Sequence, residues 1–413
     1  MSLYALFSLL VLFAVIIYYI NMRFFRIQPT IAITLGALVF SAILVLVDHW
    51  LHTGYVMLID HWLLQIDFRS WLLNGALGLF LFAGALTVNL RVLLKHRWEV
   101  GTLALFGTAA STFLVGTGLF YLLAWLGLDM PYLYCLLFGA IISPTDPIAV
   151  LATVKQMRAS EDLTTKIAGE SLFNDGVGLV IFVTLLSMIM FHGHPTWQSV
   201  SLLFIREAVG GILFGLVLGY VGYWLIKPIP DAKLEILLTL CIASTGYVFA
   251  QWIGISGPLA MVVSGLIIGN VVRQHAMTEH GQQHLDTFWE VVDELLNALL
   301  FLLIGMEVLM LHGNVWLIVA GLIAIPMVLA IRFLTVAVPM SLFRRYRQYV
   351  PFVITILTWG GLRGGLALAM ALSVPQGPYR DPILLLTYMV VIFSIVVQGL
   401  TAKSLVKKAA STG

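Results

Sequence analysis

The sequence predicts an all-α polytopic membrane protein of about thirteen spans, built from inverted repeats, with two helices broken near mid-membrane. Three observations predict it. Of the 413 residues, 61% are hydrophobic and only 10% charged, and the mean hydropathy is +1.01, outside the range of a soluble globular domain. Apolar runs of roughly 18 to 25 residues, each long enough to cross about 30 Å of hydrocarbon, recur along the whole chain. Two of these runs are interrupted by clusters of proline or glycine.

The spans begin near Tyr4, Ile31, Trp71, Thr102, Tyr132, Ile167, Ser201, Leu234, Ser256, Val291, Val315, Pro351 and Pro382. They make residues 1–413 one membrane unit, expected to lack a soluble regulatory domain. If the first connection, "NMRFFRIQP", is cytoplasmic, that side collects 17 Lys and Arg and the other side only Arg69 and Arg380. The positive-inside rule then sets the N terminus outside and the C terminus in the cytoplasm of a plasma (inner) membrane protein. The net charge of +2 is thus a topology signal and points to no nucleic-acid partner.

Taken in order, the first span is followed by arginines without a small-residue cleavage site and is expected to be retained. The segment from Asp48 to Ser70, with "DHWL" twice, is expected to lie along the membrane surface. The fifth span carries "GAIISPTDPIAVLA", where Pro144 and Pro147 remove backbone donors around Thr145 and Asp146. The sixth carries Glu170, Ser171, Asn174 and Asp175 on one helix face, since i and i+4 neighbours lie within about 100 degrees of each other. In the seventh, Gly211, Gly215 and Gly219 let another helix approach, either within the protein or from a second subunit. Before the tenth, His275, His280 and His284 lie in a segment read as a solvated loop; His280 and His284 would share a helix face, and a metal site or pH sensor is the alternative. The twelfth is broken by Gly360, Gly361, Gly364 and Gly365 around Leu362 and Arg363. Cys135 and Cys241 read as small core residues of two different spans. Broken spans in both halves point to inverted repeats, spans 4 to 6 and 11 to 13, with the site where the breaks meet.

An ionised group at the bilayer centre costs about 2.5 to 3.5 kcal/mol on insertion scales, so such groups are rare and usually functional. Asp146, Glu170, Asp175 and Arg363 are groups of this kind. Glu170 is expected to pair with Arg363, which leaves two acids that must hold either a proton or a cation. Thr145, Ser171 and freed carbonyls supply hard oxygen ligands for Na⁺, Li⁺ or K⁺. Capping of half-helices by Asp146 and Arg363 is the structural alternative. Other functional classes are an intramembrane aspartyl protease using Asp146 and Asp175, and a cation channel. No cofactor beyond the transported ions, and no catalytic residue, is expected.

"SPTDPIAV" (143–150), "GESLFNDGVGLV" (169–180) and "WGGLRGGLALAMAL" (359–372), in this order, resemble the core motifs of NhaP-type sodium/proton antiporters of the first monovalent cation:proton antiporter family. The resemblance implies an NhaA-like fold and a homodimer. A core domain, about 100–190 and 315–402, would move against a dimerisation domain, about 1–95 and 200–310. It implies Asp175 as the principal ion and proton carrier, with Asp146, Ser171 and Thr145 as further ligands and Asn174 holding the site together. The Asn174 and Asp175 pair implies electroneutral exchange, one cation per proton, serving pH and sodium homeostasis. One departure stands out: many members read like "FEGAL" in the third span, whereas this chain has Ala83 in place of the glutamate.

Overall fold

The computed structural model describes residues 3–52, 54, 71–147, 150–151, 154, 161–190, 197–307, 314–345 and 352–410. Within them the chain is helical almost throughout: α1 (Leu3–Ile20), α2 (Pro29–Leu51), α3 (Leu77–Leu86), α4 (Leu90–Lys95), α5 (Arg97–Trp125), α6 (Tyr132–Ile142), α7 (Glu161–Met190), α8 (Trp197–Ile226), α9 (Ala232–Trp252), α10 (Gly257–His275), α11 (Glu279–Glu307), α12 (Val315–Phe343), α13 (Val353–Trp359), α14 (Gly365–Leu372) and α15 (Arg380–Leu405). Nine helices among the described residues are long and apolar enough to cross a membrane, and α3 and α6 are shorter apolar helices. In hydrocarbon every backbone polar group must find an internal partner, which is why helices carry the chain across.

Local sequence sets the helix starts. Pro29 opens α2 without wasting a donor, and the side chains of Asn89, Asp231, Ser256 and Asn314 accept from free amides at the starts of α4, α9, α10 and α12. Between α10 and α11 the buried Glu235 carboxylate accepts from the Thr278 amide (3.2 Å) and hydroxyl (3.3 Å), and Arg273 meets Asp286 through two bonds of 2.7 Å.

Two large apolar cores hold the helices. One joins α5, α6, α14 and α15 with residues of α1, α2, α12 and the end of α11; the other joins α3, α9 and α10 with Leu285 and Trp289 of α11. Gly211, Gly215 and Gly219 of α8 face α10: a Cβ on Gly211 would fall 2.6 Å from the Ser256 carbonyl oxygen, and one on Gly215 2.5 Å from that of Ala260. The glycine repeat therefore serves internal packing.

The structure corrects several expectations. Asp48 to Leu51 end α2 instead of opening a surface segment, while 55–70 fall outside the described residues. His280 and His284 lie on α11 instead of in a loop; their Nε2 atoms approach to 2.9 Å, and both side chains are exposed. His275 ends α10, with Nδ1 2.9 Å from the Val271 carbonyl oxygen. Cys135 is buried as expected, but Cys241 is exposed on the outer side of α9.

Candidate functional site

Both interruptions are visible in the backbone. Helix α6 stops at Ile142 and residues 143–147 are non-helical; helices α13 and α14 flank non-helical residues 360–364. The two stretches touch: the Asp146 amide donates to the Leu362 carbonyl (2.8 Å), forming an isolated antiparallel bridge.

Proline chemistry explains what gathers around the first stretch. In a continuous helix the Ser143 carbonyl would accept from the amide of residue 147, but Pro147 has none. Arg363 takes its place, donating through Nη1 to the carbonyls of Ser143 (2.6 Å) and Pro144 (2.8 Å), while its own amide donates to Ser394 Oγ (2.9 Å). The second break has a matching arrangement. Arg332 of α12 donates through Nη2 to the Leu357 carbonyl (3.1 Å), near the end of α13.

The sixth-span stripe lies on α7, which starts at Glu161, about a turn and a half before the expected Ile167. Asn174 clasps Thr145 twice: its Oδ1 accepts from the Thr145 amide (3.3 Å) and its Nδ2 donates to Thr145 Oγ1 (2.8 Å). Ser171 Oγ donates to the Thr145 carbonyl (2.6 Å). All three residues are buried. Asp175, on the next position, is half-buried and has no hydrogen bond or ion pair among the described residues; Asp146, also half-buried, lies within its electrostatic reach. The structure thus brings Asp146, Thr145, Ser171, Asn174 and Asp175 together.

Close packing makes the crossing specific. A Cβ on Gly364 would overlap the Asp146 carboxylate, and one on Gly178 would overlap the Pro144 ring. A Cβ on Gly361 would fall 2.8 Å from Arg332 Nε. Gly360 closes α13 by donating its amide to the Ile356 carbonyl (2.7 Å), and Gly365 packs against Leu300 of α11. Ala83 is buried on α3.

One expected pairing is corrected. Glu170 meets Arg332 and not Arg363: Arg332 Nη1 lies 2.6 Å from Glu170 Oε1, a charge contact whose angles are not those of an aligned hydrogen bond. Arg363 is instead engaged by the carbonyls of Ser143 and Pro144, and Glu170 meets the other buried arginine. The charge count changes with it. Among the described residues three carboxylates, Asp146, Glu170 and Asp175, stand with two guanidiniums, so the count leaves one acid in excess where the sequence left two. Arg332 was visible in the sequence as an arginine inside a span, and that position was the available signal.

The arrangement gathers hard oxygens and carboxylates, the chemistry that suits a proton or a small cation. The transmembrane sodium/hydrogen exchanger family matches residues 10–408 of the chain. The chain is similar to the Na(+)/H(+) antiporter NhaP of Pseudomonas aeruginosa, 44% identical over 395 residues covering 94% of this chain and 93% of that protein. It is also similar to the Na(+)/H(+) antiporter NhaH of Halobacillus aidingensis, 35% identical over 83% of each. Among solved structures, the sodium proton antiporter MjNhaP1 of Methanocaldococcus jannaschii superposes with a TM-score of 0.75 over 98% of this chain and 97% of that one, at 18% identity, a likeness of fold. The chain belongs to the sodium/hydrogen exchanger family.

Proposed function

We propose that this protein is a secondary active antiporter that exchanges Na⁺, Li⁺ or K⁺ for H⁺ by alternating access, with Asp175 as the carrier. The observation that carries the reading is the contrast within the site. Glu170, Thr145, Ser171 and Asn174 have their polar atoms engaged by fixed partners, whereas the Asp175 carboxylate is bonded to nothing among the described residues. A carboxylate in that position is neutralised by H⁺ or by a metal cation, and the two compete for it. Asp146 and the oxygens of Thr145 and Ser171 complete the cation's coordination, and Asn174 keeps the unwound stretch in register. No resident cofactor takes part; the alkali cation is cargo.

Exchange is electroneutral, one cation for one proton, because the crossing holds a single surplus acid. The moving core comprises about 100–190 and 315–402 and the scaffold about 1–95 and 200–310. The two apolar cores support this division in part: α1, α2 and the end of α11 pack with the first, and Val100 and Leu172 with the second. The working unit is a homodimer in the plasma membrane with its N terminus outside, as the 17-to-2 distribution of basic residues supports, and it serves pH and sodium homeostasis. Membership of an exchanger family favours a carrier over a channel or an aspartyl protease.

The test is transport by purified protein in liposomes. An imposed pH gradient drives Na⁺ or Li⁺ uptake by the native chain, and Asp175→Asn abolishes it while the protein remains folded. Full-rate exchange in that variant would reject the assignment.

A further inference from the structure

The start of α11 carries chemistry that the crossing does not use. Its first part, "EHGQQHLDTFWEVVDE" (279–294), is too polar for hydrocarbon and lies on the aqueous side of the helix. His280 and His284 stand four residues apart there, so they share one face. Their Nε2 atoms are 2.9 Å apart, with ring centroids at 4.1 Å and planes inclined by 66°. Both side chains are exposed, and among the described residues neither ring has another polar partner. His275, by contrast, ends α10 with its Nδ1 on the Val271 carbonyl oxygen.

Two imidazole nitrogens that converge on one point are a chelate in waiting. Nitrogen ligands hold a divalent first-row ion at about 2.0 to 2.1 Å. Nitrogens 2.9 Å apart then subtend about 90 degrees at the metal, the angle between neighbouring ligands of a tetragonal site. A tetrahedral site would need them about 3.3 Å apart. Tetragonal coordination by nitrogen and oxygen is the preference of Cu²⁺ and Ni²⁺, and affinity for a given site peaks at Cu²⁺ along the first row. The helix fixes both rings on one face before an ion arrives, so no loop has to close around it.

The local charges favour a cation. The positive end of the α11 dipole opposes one, but Glu279 and Glu290 are exposed carboxylates on the same helix. Asp286 is engaged by Arg273 through two bonds of 2.7 Å, which neutralises the basic side chain packed beside this stretch. Among the described residues no group of three His, Cys, Asp or Glu gathers round an ion, so water completes the coordination. A closed structural site has four protein ligands; this one is open and its ion exchangeable.

We propose that His280 and His284 form a two-histidine chelate for a divalent transition-metal ion, Cu²⁺ or Ni²⁺ ahead of Zn²⁺, at the water-exposed start of α11. The site is distinct from the alkali-cation site, whose donors are all oxygens, and it does not rest on the antiport reading. A bound ion ties the first turn of α11 to the second and stabilises the start of the helix in proportion to its occupancy.

The experiment titrates Cu²⁺, and separately Ni²⁺, into the full-length chain in lipid nanodiscs, without any added histidine tag, at about pH 7.5, where imidazole is mostly neutral. Electron paramagnetic resonance reads the Cu²⁺ ligands, and amide hydrogen exchange reads residues 279–288. The native chain takes up one tightly held ion, its Cu²⁺ spectrum shows two equatorial nitrogens, and protection of 279–288 rises on saturation. His280→Ala and His284→Ala each weaken binding about a hundredfold, because the remaining imidazole loses its tethered partner. His275→Ala binds as the native chain does. Absence of saturable binding by the native chain, a native Cu²⁺ spectrum without two nitrogens, or unchanged affinity in both His280→Ala and His284→Ala overturns the site. The native spectrum decides the question even if a variant does not fold.

Discussion

Glu170 and Arg332 are both almost wholly buried, so removing one partner leaves an uncompensated charge, at a cost of about 3 to 5 kcal/mol. Losing the Arg363 side chain instead orphans the carbonyls of Ser143 and Pro144, at about 1 to 3 kcal/mol. Arg332→Ala is therefore expected to lower the thermal midpoint of the purified protein more than Arg363→Ala does, and Arg332→Met combined with Glu170→Leu should recover most of the loss. Equal single effects, or no recovery in the pair, would return Glu170 to Arg363. At this scale the sequence was partly legible. Residues 170, 171, 174 and 175 share a face by helical periodicity alone, and Thr145 and Asp146 are marked by the prolines beside them. Which arginine meets Glu170 was not legible, because both arginines lie far from it in the chain and the choice depends on which carbonyls the breaks leave without donors.

The two interrupted stretches behave as a pair of elements. Each ends a short helix whose terminal carbonyls lack intrahelical donors, and each receives a guanidinium from elsewhere: Arg363 at the end of α6, Arg332 at the end of α13. Both arginines come from the last third of the chain, while the bridge between Asp146 and Leu362 joins its two halves directly. Gly364 permits that approach. Its backbone angles, φ −117° and ψ −157°, are open to any residue, so the need for glycine is one of space. Gly364→Ala should cut exchange about a hundredfold through displacement of Asp146, with Gly377→Ala, where a Cβ meets nothing within 4 Å, as the neutral comparison. Matching rates in the two variants would show that the crossing tolerates the shift. Glycine and proline spacing made both breaks legible in the sequence, but the hydrogen bond that joins them was not, because register between two irregular strands has no periodic signature.

For the whole molecule, charge at the crossing decides the electrical character of transport. On the proposed reading one surplus carboxylate carries either one H⁺ or one monovalent cation, so the loaded core has the same charge on both journeys. A membrane potential imposed with a potassium ionophore, at equal Na⁺ and H⁺ gradients, should drive no net flux; uptake that follows the potential would refute the count. The hydropathy of the chain made the membrane architecture plain, since long apolar runs have few other folded solutions. The packing of α1, α2 and the end of α11 with the first apolar core was beyond sequence, because a lipid-facing helix and a helix packed against a neighbour are equally apolar.

Thr145 is gripped by two side chains of α7, and its neighbour Asp146 is tied to Leu362. In the proposed mechanism these residues coordinate the cation, and the bonds among them make them move as one cassette with the same arrangement at either end of the stroke. A carrier built in that way has no built-in rectification, so the difference in ion concentrations determines which way it runs.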